Sequence, residues 1–163
     1  MIHYIFKNEI SFPEDGKLEQ AVFGMGCFWG AEKKFWELEG VKLTAVGYAG
    51  GDSKNPSYRD VCTGLTGHNE VVKVLFDPME VSYLNILAIF WENHDPTQKN
   101  KQGNDIGTQY RSGAYYFSDA QKLRLQETKL AYEDSLQKAG FGSIVTEIKK
   151  APEFFLAEDY HQQ

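Results

Sequence analysis

Short apolar runs alternate with amphipathic stretches along the chain, and the period of each run fixes the element it predicts. Gln20 to Gly26 (Gln-Ala-Val-Phe-Gly-Met-Gly) is a compact apolar run of the kind that makes a short buried strand. Phe28, Ala31, Phe35 and Leu38 then recur at near-helical spacing, and Glu39-Gly40 closes that helix. Val41 to Tyr48 is β-branched and apolar, a second strand, and Glu70 to Phe76 is a third, stopped by Asp77-Pro78. Ser82 can cap a helix from Tyr83 to about Asn93, with Leu84, Leu87, Ala88 and Trp91 on one face. Gly113 to Phe117 is a further strand. Ser118 and Gln121 form an S-x-x-Q box that opens a long helix to about Ala139, with Gly140 as its stop, and Ile144 to Lys149 alternates as a last strand.

Four stretches lack a period. Residues 1–19 read as a polar leader with a Pro-Glu-Asp-Gly turn at 13–16. Ala49 to Asn69 is rich in glycine and turn formers, with one helical turn near Tyr58 to Cys62. His94 to Ser112 is a long irregular segment, and such segments inside a compact domain are often functional. Ala151 to Gln163 is acidic and aromatic and reads as partly helical. Helices and strands interleave, but the glycine-rich stretches break the alternation of a doubly wound sheet. The expected architecture is α+β, a mixed sheet with helices packed on it, in a single domain over 1–163.

Composition narrows the function classes. The chain is 42% hydrophobic and 25% charged, ordinary values for a folded domain of 163 residues. Its net charge of −6 disfavours a nucleic-acid or anionic-membrane partner, since both need a concentrated positive patch. No apolar run approaches the roughly 20 residues a membrane helix needs. The N-terminal stretch has Lys7 followed by acidic residues, not a basic region followed by an apolar one, so no signal peptide is expected. The two cysteines, Cys27 and Cys62, form no C-x-x-C pair, and the four histidines show no ligand spacing. Neither a disulfide framework nor a structural zinc site is expected, and free thiols suit the cytoplasm.

Cys27 lies between a strand and a helix in Gly26-Cys27-Phe28-Trp29-Gly30. Unpaired N–H groups and the positive end of the helix dipole there stabilise a thiolate, so its pKa is expected to fall. The same position also suits a buried structural cysteine. Glu70 opens an apolar strand, where desolvation favours the neutral acid; a solvated strand-end glutamate is the plainer alternative. Tyr58 and Tyr110 sit in the irregular segments and are neutral hydrogen-bond donors at pH 7, or packing residues. Asp105 fits a turn as well as a site. His68 and His94 fit general bases or structural hydrogen bonders. The charged face with Lys122, Arg124, Glu127 and Lys129 is most simply solvated.

At Gly26-Cys27-Phe28-Trp29-Gly30 the sequence resembles the A class of peptide methionine sulfoxide reductases. Further segments match in order: Gly47-Tyr48-Ala49-Gly50-Gly51, Asn55-Pro56-Ser57-Tyr58-Arg59, Thr66-Gly67-His68-Asn69-Glu70, Phe90 to Pro96, Gln102-Gly103-Asn104-Asp105, Gly107 to Ser112, and Ala157 to Gln163. The resemblance runs from about residue 20 to the last residue. It implies a two-layer α+β domain related to the ferredoxin-like plait and reduction of the S epimer of methionine sulfoxide, in proteins and as the free amino acid. It makes Cys27 the nucleophile, Glu70 the acid, Tyr58 and Tyr110 the donors to the sulfoxide oxygen, Phe28 and Trp29 the pocket for the substrate methyl, and Asp105 a supporting residue. No bound cofactor is implied; the reductant is an external thiol, thioredoxin or a small one, and the chain is expected to act as a monomer.

The chemistry needs these residue types. A sulfoxide sulfur is a poor electrophile and oxide a poor leaving group, so a neutral acid must meet the oxygen while a thiolate meets the sulfur. Many members of that family carry resolving cysteines in a C-terminal tail. With this chain ending at Gln163, only Cys62 is left as an internal thiol. Val61 and Leu65 beside it suggest a packed environment, so Cys62 is expected to be buried and inert. Two other readings stand beside the reductase: a different cysteine chemistry, thiol peroxidase or amidase, and an aromatic peptide-binding module with an inert Cys27.

Overall fold

The computed structural model describes residues 1–14 and 16–163. The turn expected at 13–16 includes Asp15, which lies outside the described residues. Six strands form one sheet in the order β7-β6-β1-β3-β2-β8. These are β1 (Glu19–Gly24), β2 (Val41–Ala49), β3 (Asn69–Phe76), β6 (Gly113–Tyr116), β7 (Glu147–Lys150) and β8 (Phe154–Leu156). The pairings are antiparallel except β6 with β7, so the sheet is mixed, as the sequence pattern predicts. β3 lies between β1 and β2 and is buried along almost its whole length, which is why it reads as a continuous apolar run.

Two helices, α1 (Phe28–Trp36) and α3 (Tyr83–Glu92), meet over Phe23 of β1. The Phe23 ring stacks on Phe35 of α1 at 5.5 Å and on Phe90 of α3 at 4.7 Å. The long helix α4 (Asp119–Lys138) rests on α3, where the Trp91 indole donates to Thr128 Oγ1 at 2.9 Å. Its N-terminus uses half of the expected box. Ser118 Oγ accepts from Gln121 N, but the Gln121 side chain reaches Phe117 N instead of Ser118.

Three expectations are refined. The segment 151–163 contains strand β8 and a single 3₁₀ turn, Asp159–His161. Pairing with β2 makes Phe154–Leu156 a strand, so the partly helical reading holds only at Asp159–His161, and the pairing depends on Gly47, whose missing Cβ leaves room for Phe155 O and the Phe154 ring. The long loop 94–112 carries a small hairpin, β4 (Lys101–Gln102) with β5 (Asp105–Ile106), then a 3₁₀ turn, Thr108–Tyr110. The polar leader also supplies a buried residue. His3 is fully buried and bonds Thr44 Oγ1 at 2.7 Å, Thr44 donates to Glu32 Oε2, and Glu32 accepts from both the backbone and the side chain of Gln163. This buried polar cluster ties both ends of the described chain to α1 and β2. Among the described residues, no helix is long and apolar enough to cross a membrane.

Candidate active site

Cys27 is the N-cap of α1, at the turn that leaves β1. The turn is tight: Gly26 has φ +88°, and a Cβ there would meet Gln102 Cβ at 2.6 Å. The β4–β5 hairpin therefore packs against the Cys27 turn and brings Asp105 near it. The backbone N–H groups of Trp29 and Gly30 lie on the side of the Cys27 sulfur and favour the thiolate, although neither closes a side-chain cap hydrogen bond with it. They do not prevail. Burial pushes the thiol above its ordinary value, and the nearby charges of Glu70 and Asp105 push it further. This corrects the expectation of a depressed pKa. Partial burial of the sulfur costs more than two N–H donors return, and two carboxyls the sequence left distant sit beside it.

Glu70 occupies the second position of β3, paired with Tyr48 of β2, and is 1% exposed. Burial pushes its carboxyl up to about 7, against a hydrogen bond from Phe28 N that favours the anion; Asp105 adds to the rise. Among the described residues, Glu70 Oε2 has no hydrogen-bond partner. A buried, unpaired carboxyl oxygen that holds a proton near neutral pH is a ready donor to an oxygen-bearing substrate.

Tyr58 begins α2 (Tyr58–Cys62), a five-residue helix opened by a full capping box between Ser57 and Asp60. Its phenol is hydrogen-bonded to Cys62, and that bond together with burial holds its pKa above the ordinary tyrosine value. Tyr110 ends the 3₁₀ turn, shares a hydrogen bond with Tyr58, and is also pushed up, chiefly by burial. Both phenols are protonated at neutral pH. Arg111 anchors this turn, donating to Thr108 O at 2.8 Å and to Gly67 O at 3.0 Å, just upstream of Glu70.

Phe28 lies in the core, its ring 5.9 Å from Tyr48, whereas Trp29 is 58% exposed. Asp105 is exposed on β5 and enters the site through its charge on Cys27, Glu70 and Tyr110. Cys62, expected to be buried, is exposed. The short α2 turns its last residue to solvent beside the phenol of Tyr58, and Val61 takes the core position instead. His68 and His94 hold backbone and hydroxyl groups, Ser53 O for one and Phe90 O and Ser112 Oγ for the other. Among the described residues no cluster of His, Cys, Asp and Glu fits a metal ion.

Two residues here carry no role in the sequence reading. Glu158 accepts from Tyr58 N at 3.2 Å and Tyr48 OH at 3.3 Å, and His161 accepts from the Trp29 indole at 3.2 Å. Both lie in the terminal matching segment; no local pattern ties that segment to α1 and α2.

A family model described as peptide methionine sulfoxide reductase matches residues 19–163. A Synechocystis protein named peptide methionine sulfoxide reductase MsrA 1 is 57% identical over 161 residues, spanning 99% of this chain and 72% of its own length. The solved structure of methionine sulfoxide reductase A of Corynebacterium diphtheriae has a TM-score of 0.92 at 44% identity, covering 99% of this chain and 78% of that one. Reduced Mxr1 from Saccharomyces cerevisiae has a TM-score of 0.86 at 32% identity, covering 94% and 87%. The same yeast protein in complex with Trx2 shares the fold at a TM-score of 0.67 and 22% identity, covering 95% and 91%.

Proposed function

We propose, from the premise that this chain belongs to the peptide methionine sulfoxide reductase family of oxidoreductases, that it reduces the S epimer of peptide-bound methionine sulfoxide with Cys27 as nucleophile and Glu70 as acid. The observation that carries this reading is Glu70: buried, pushed up to about 7, with one oxygen unpaired, and linked through Phe28 N to the turn that holds Cys27.

The two groups support one another. The Glu70 charge is one cause of the high Cys27 pKa, so a protonated Glu70 removes part of the penalty on the thiolate. The Cys27 thiolate attacks the sulfoxide sulfur while Glu70 delivers its proton to the oxygen. Tyr58 and Tyr110 donate to that oxygen as charge builds on it, and each such donor is worth roughly 3 kcal/mol by comparison with oxyanion holes. The oxygen ends on Cys27 as a sulfenic acid and the substrate leaves as methionine, two electrons passing from Cys27 to the substrate sulfur. One thiol then condenses with the sulfenic acid, releasing water, and a second thiol displaces the mixed disulfide and restores Cys27.

Phe28 and Trp29 form the apolar wall for the substrate methyl, and Asp105 sets the charge around the acid. The proposed reductant is a thioredoxin-like protein or a small thiol; the fold shared with Mxr1 in its Trx2 complex supports the former. Free methionine sulfoxide is a second substrate, and the chain acts as a cytoplasmic monomer forming one domain. The strand order β6-β1-β3-β2, with α1 and α3 as crossovers, supports kinship with the ferredoxin-like plait. An amidase needs a histidine base against the nucleophile, whereas the leading charges on Cys27 among the described residues are the carboxyls of Glu70 and Asp105.

The test is turnover on separate S and R epimers of a methionine sulfoxide peptide with dithiothreitol. Methionine from the S epimer alone, abolished by Cys27→Ser, supports the reading. Equal turnover of both epimers, or turnover by Cys27→Ser, refutes it.

A further inference from the structure

His161 is buried, and four aromatic rings surround it: Tyr160 at 4.1 Å, Tyr58 at 4.5 Å, Phe28 at 5.4 Å and Trp29 at 5.7 Å between centroids. It thus touches both proposed wall residues and one proposed oxygen donor. The bond with Trp29 has a fixed direction. An indole N–H can only donate, so the His161 Nδ1 that faces it at 3.2 Å must be a bare lone pair. A neutral imidazole with Nδ1 bare carries its proton on Nε2. Nε2 lies 3.4 Å from Glu158 Oε2, close enough for electrostatic attraction though not aligned as a hydrogen bond. Glu158 is itself held by Tyr48 OH, Tyr58 N and Tyr160 OH. A chain of contacts therefore runs from β2 and α2 through Glu158 and His161 to an indole that is otherwise 58% exposed.

We propose that His161 is a positioning residue for the sulfoxide site: in its Nε2–H tautomer it accepts from Trp29 Nε1 and locks the indole in the orientation that receives the substrate methyl. A large ring on the surface has many rotamers, and freezing it before substrate arrives removes that ordering cost from binding. The imidazolium form carries a proton on Nδ1 and cannot accept. Protonation therefore releases Trp29. Burial holds His161 below the ordinary histidine pKa, against the pull of Glu158, so the lock is closed at neutral pH and opens in acid. The ionisable groups facing His161 are Glu158 and Tyr160 of its own segment and Tyr58 of α2, with Tyr48 of β2 behind Glu158; α1 presents the uncharged rings of Phe28 and Trp29.

The kinetic consequence rests on the proposed role of Trp29, while the tautomer does not, and the experiment separates them. Long-range ¹H–¹⁵N spectra of the histidine rings identify the tautomer of His161, and exchange of the Trp29 indole proton, assigned with Trp29→Phe, reports its bond. Kinetics with the S-epimer peptide are measured on His161→Phe, which keeps a ring but no acceptor, and His161→Asn, whose Oδ1 can replace Nδ1. The expected results are the Nε2–H tautomer, faster indole exchange in His161→Phe, KM raised roughly fivefold to tenfold with kcat much less affected, as one lost hydrogen bond implies, and partial restoration of KM by His161→Asn. An Nδ1–H tautomer, unchanged indole exchange in His161→Phe, or an unchanged KM in that variant overturns the proposal. Failure of the wild-type chain to reduce sulfoxide while the spectra show the expected tautomer and bond would instead strike the proposed function.

Discussion

The backbone N–H of Phe28, the residue after Cys27, donates to the carboxyl of Glu70. This single bond joins the N-terminal turn of α1 to the start of the central strand β3. It links Glu70 to the turn that carries Cys27 and partly offsets the burial that raises the Glu70 pKa.

Glu70 should make the protein less stable at high pH. Its folded pKa, about 7, stands above the ordinary value of 4.5, so between those limits the folded state binds the extra proton and stability falls as pH rises. Glu70→Gln removes this penalty. At pH 8 the variant should be more stable than the parent by on the order of 3 kcal/mol, and the gain should vanish below about pH 4.5. Urea denaturation at the two pH values checks it; an equal difference at both would contradict the assignment. The same variant should lose most of its turnover, having no proton to deliver, and Glu70→Ala should lose more because position 70 then offers no hydrogen-bond donor at all.

Tyr58 and Tyr110 share one hydrogen bond and are proposed to face one substrate oxygen. Each single change to Phe should slow single-turnover reduction by about tenfold to a hundredfold, below a full donor's worth because the other phenol compensates. The double change should cost more than the product of the two. A double-mutant cycle with additive free energies would show that the phenols act independently.

Much of this arrangement is legible in the sequence, and the exceptions share a cause. The β1 and β3 patterns are set by burial, so their periods give them away; for α3 the period gives the helix but not its face, since Leu84 and Ala88 are exposed while Ile86 and Phe90 are buried beside Leu87 and Trp91. The strand–Cys27–helix turn and a carboxyl at the head of β3 are local signals too. The state of Cys27 is not local: the N–H donors that lower its pKa come from neighbours in sequence, while Glu70 and Asp105, which raise it, arrive from strands 43 and 78 residues away in numbering. β8 is hidden because its partner β2 makes it a strand, and Cys62 misleads because a five-residue helix has too few positions for its period to reveal which side faces out.

Cys62 is exposed and bonded to Tyr58, so its oxidation state is open to measurement. If an external thiol reduces the Cys27 sulfenic acid, Cys62→Ser, which keeps a polar partner for Tyr58, should retain turnover with dithiothreitol within about twofold, a change in line with an ordinary surface substitution. A steady-state rate lowered tenfold or more would make Cys62 the resolving thiol.

Glu32 carries the buried cluster that fastens His3, Thr44 and Gln163. Glu32→Ala strands these partners in the interior and should destabilise the fold by about 3 kcal/mol, the cost of several unsatisfied buried groups less some relaxation. Thermal unfolding followed by circular dichroism measures the loss; a change under about 0.5 kcal/mol, the range of ordinary surface substitutions, would mean the cluster is not under tension from folding.

The central claim is that Cys27 itself takes the sulfoxide oxygen. A single-turnover reaction with excess S-epimer peptide, no reductant and dimedone present tests it most directly, with methionine counted by chromatography and the adduct located by mass spectrometry. The account predicts one methionine per chain, a dimedone adduct on Cys27 and a free thiol at Cys62. Methionine formed without any modification of Cys27, or an adduct on Cys62 alone, would contradict it.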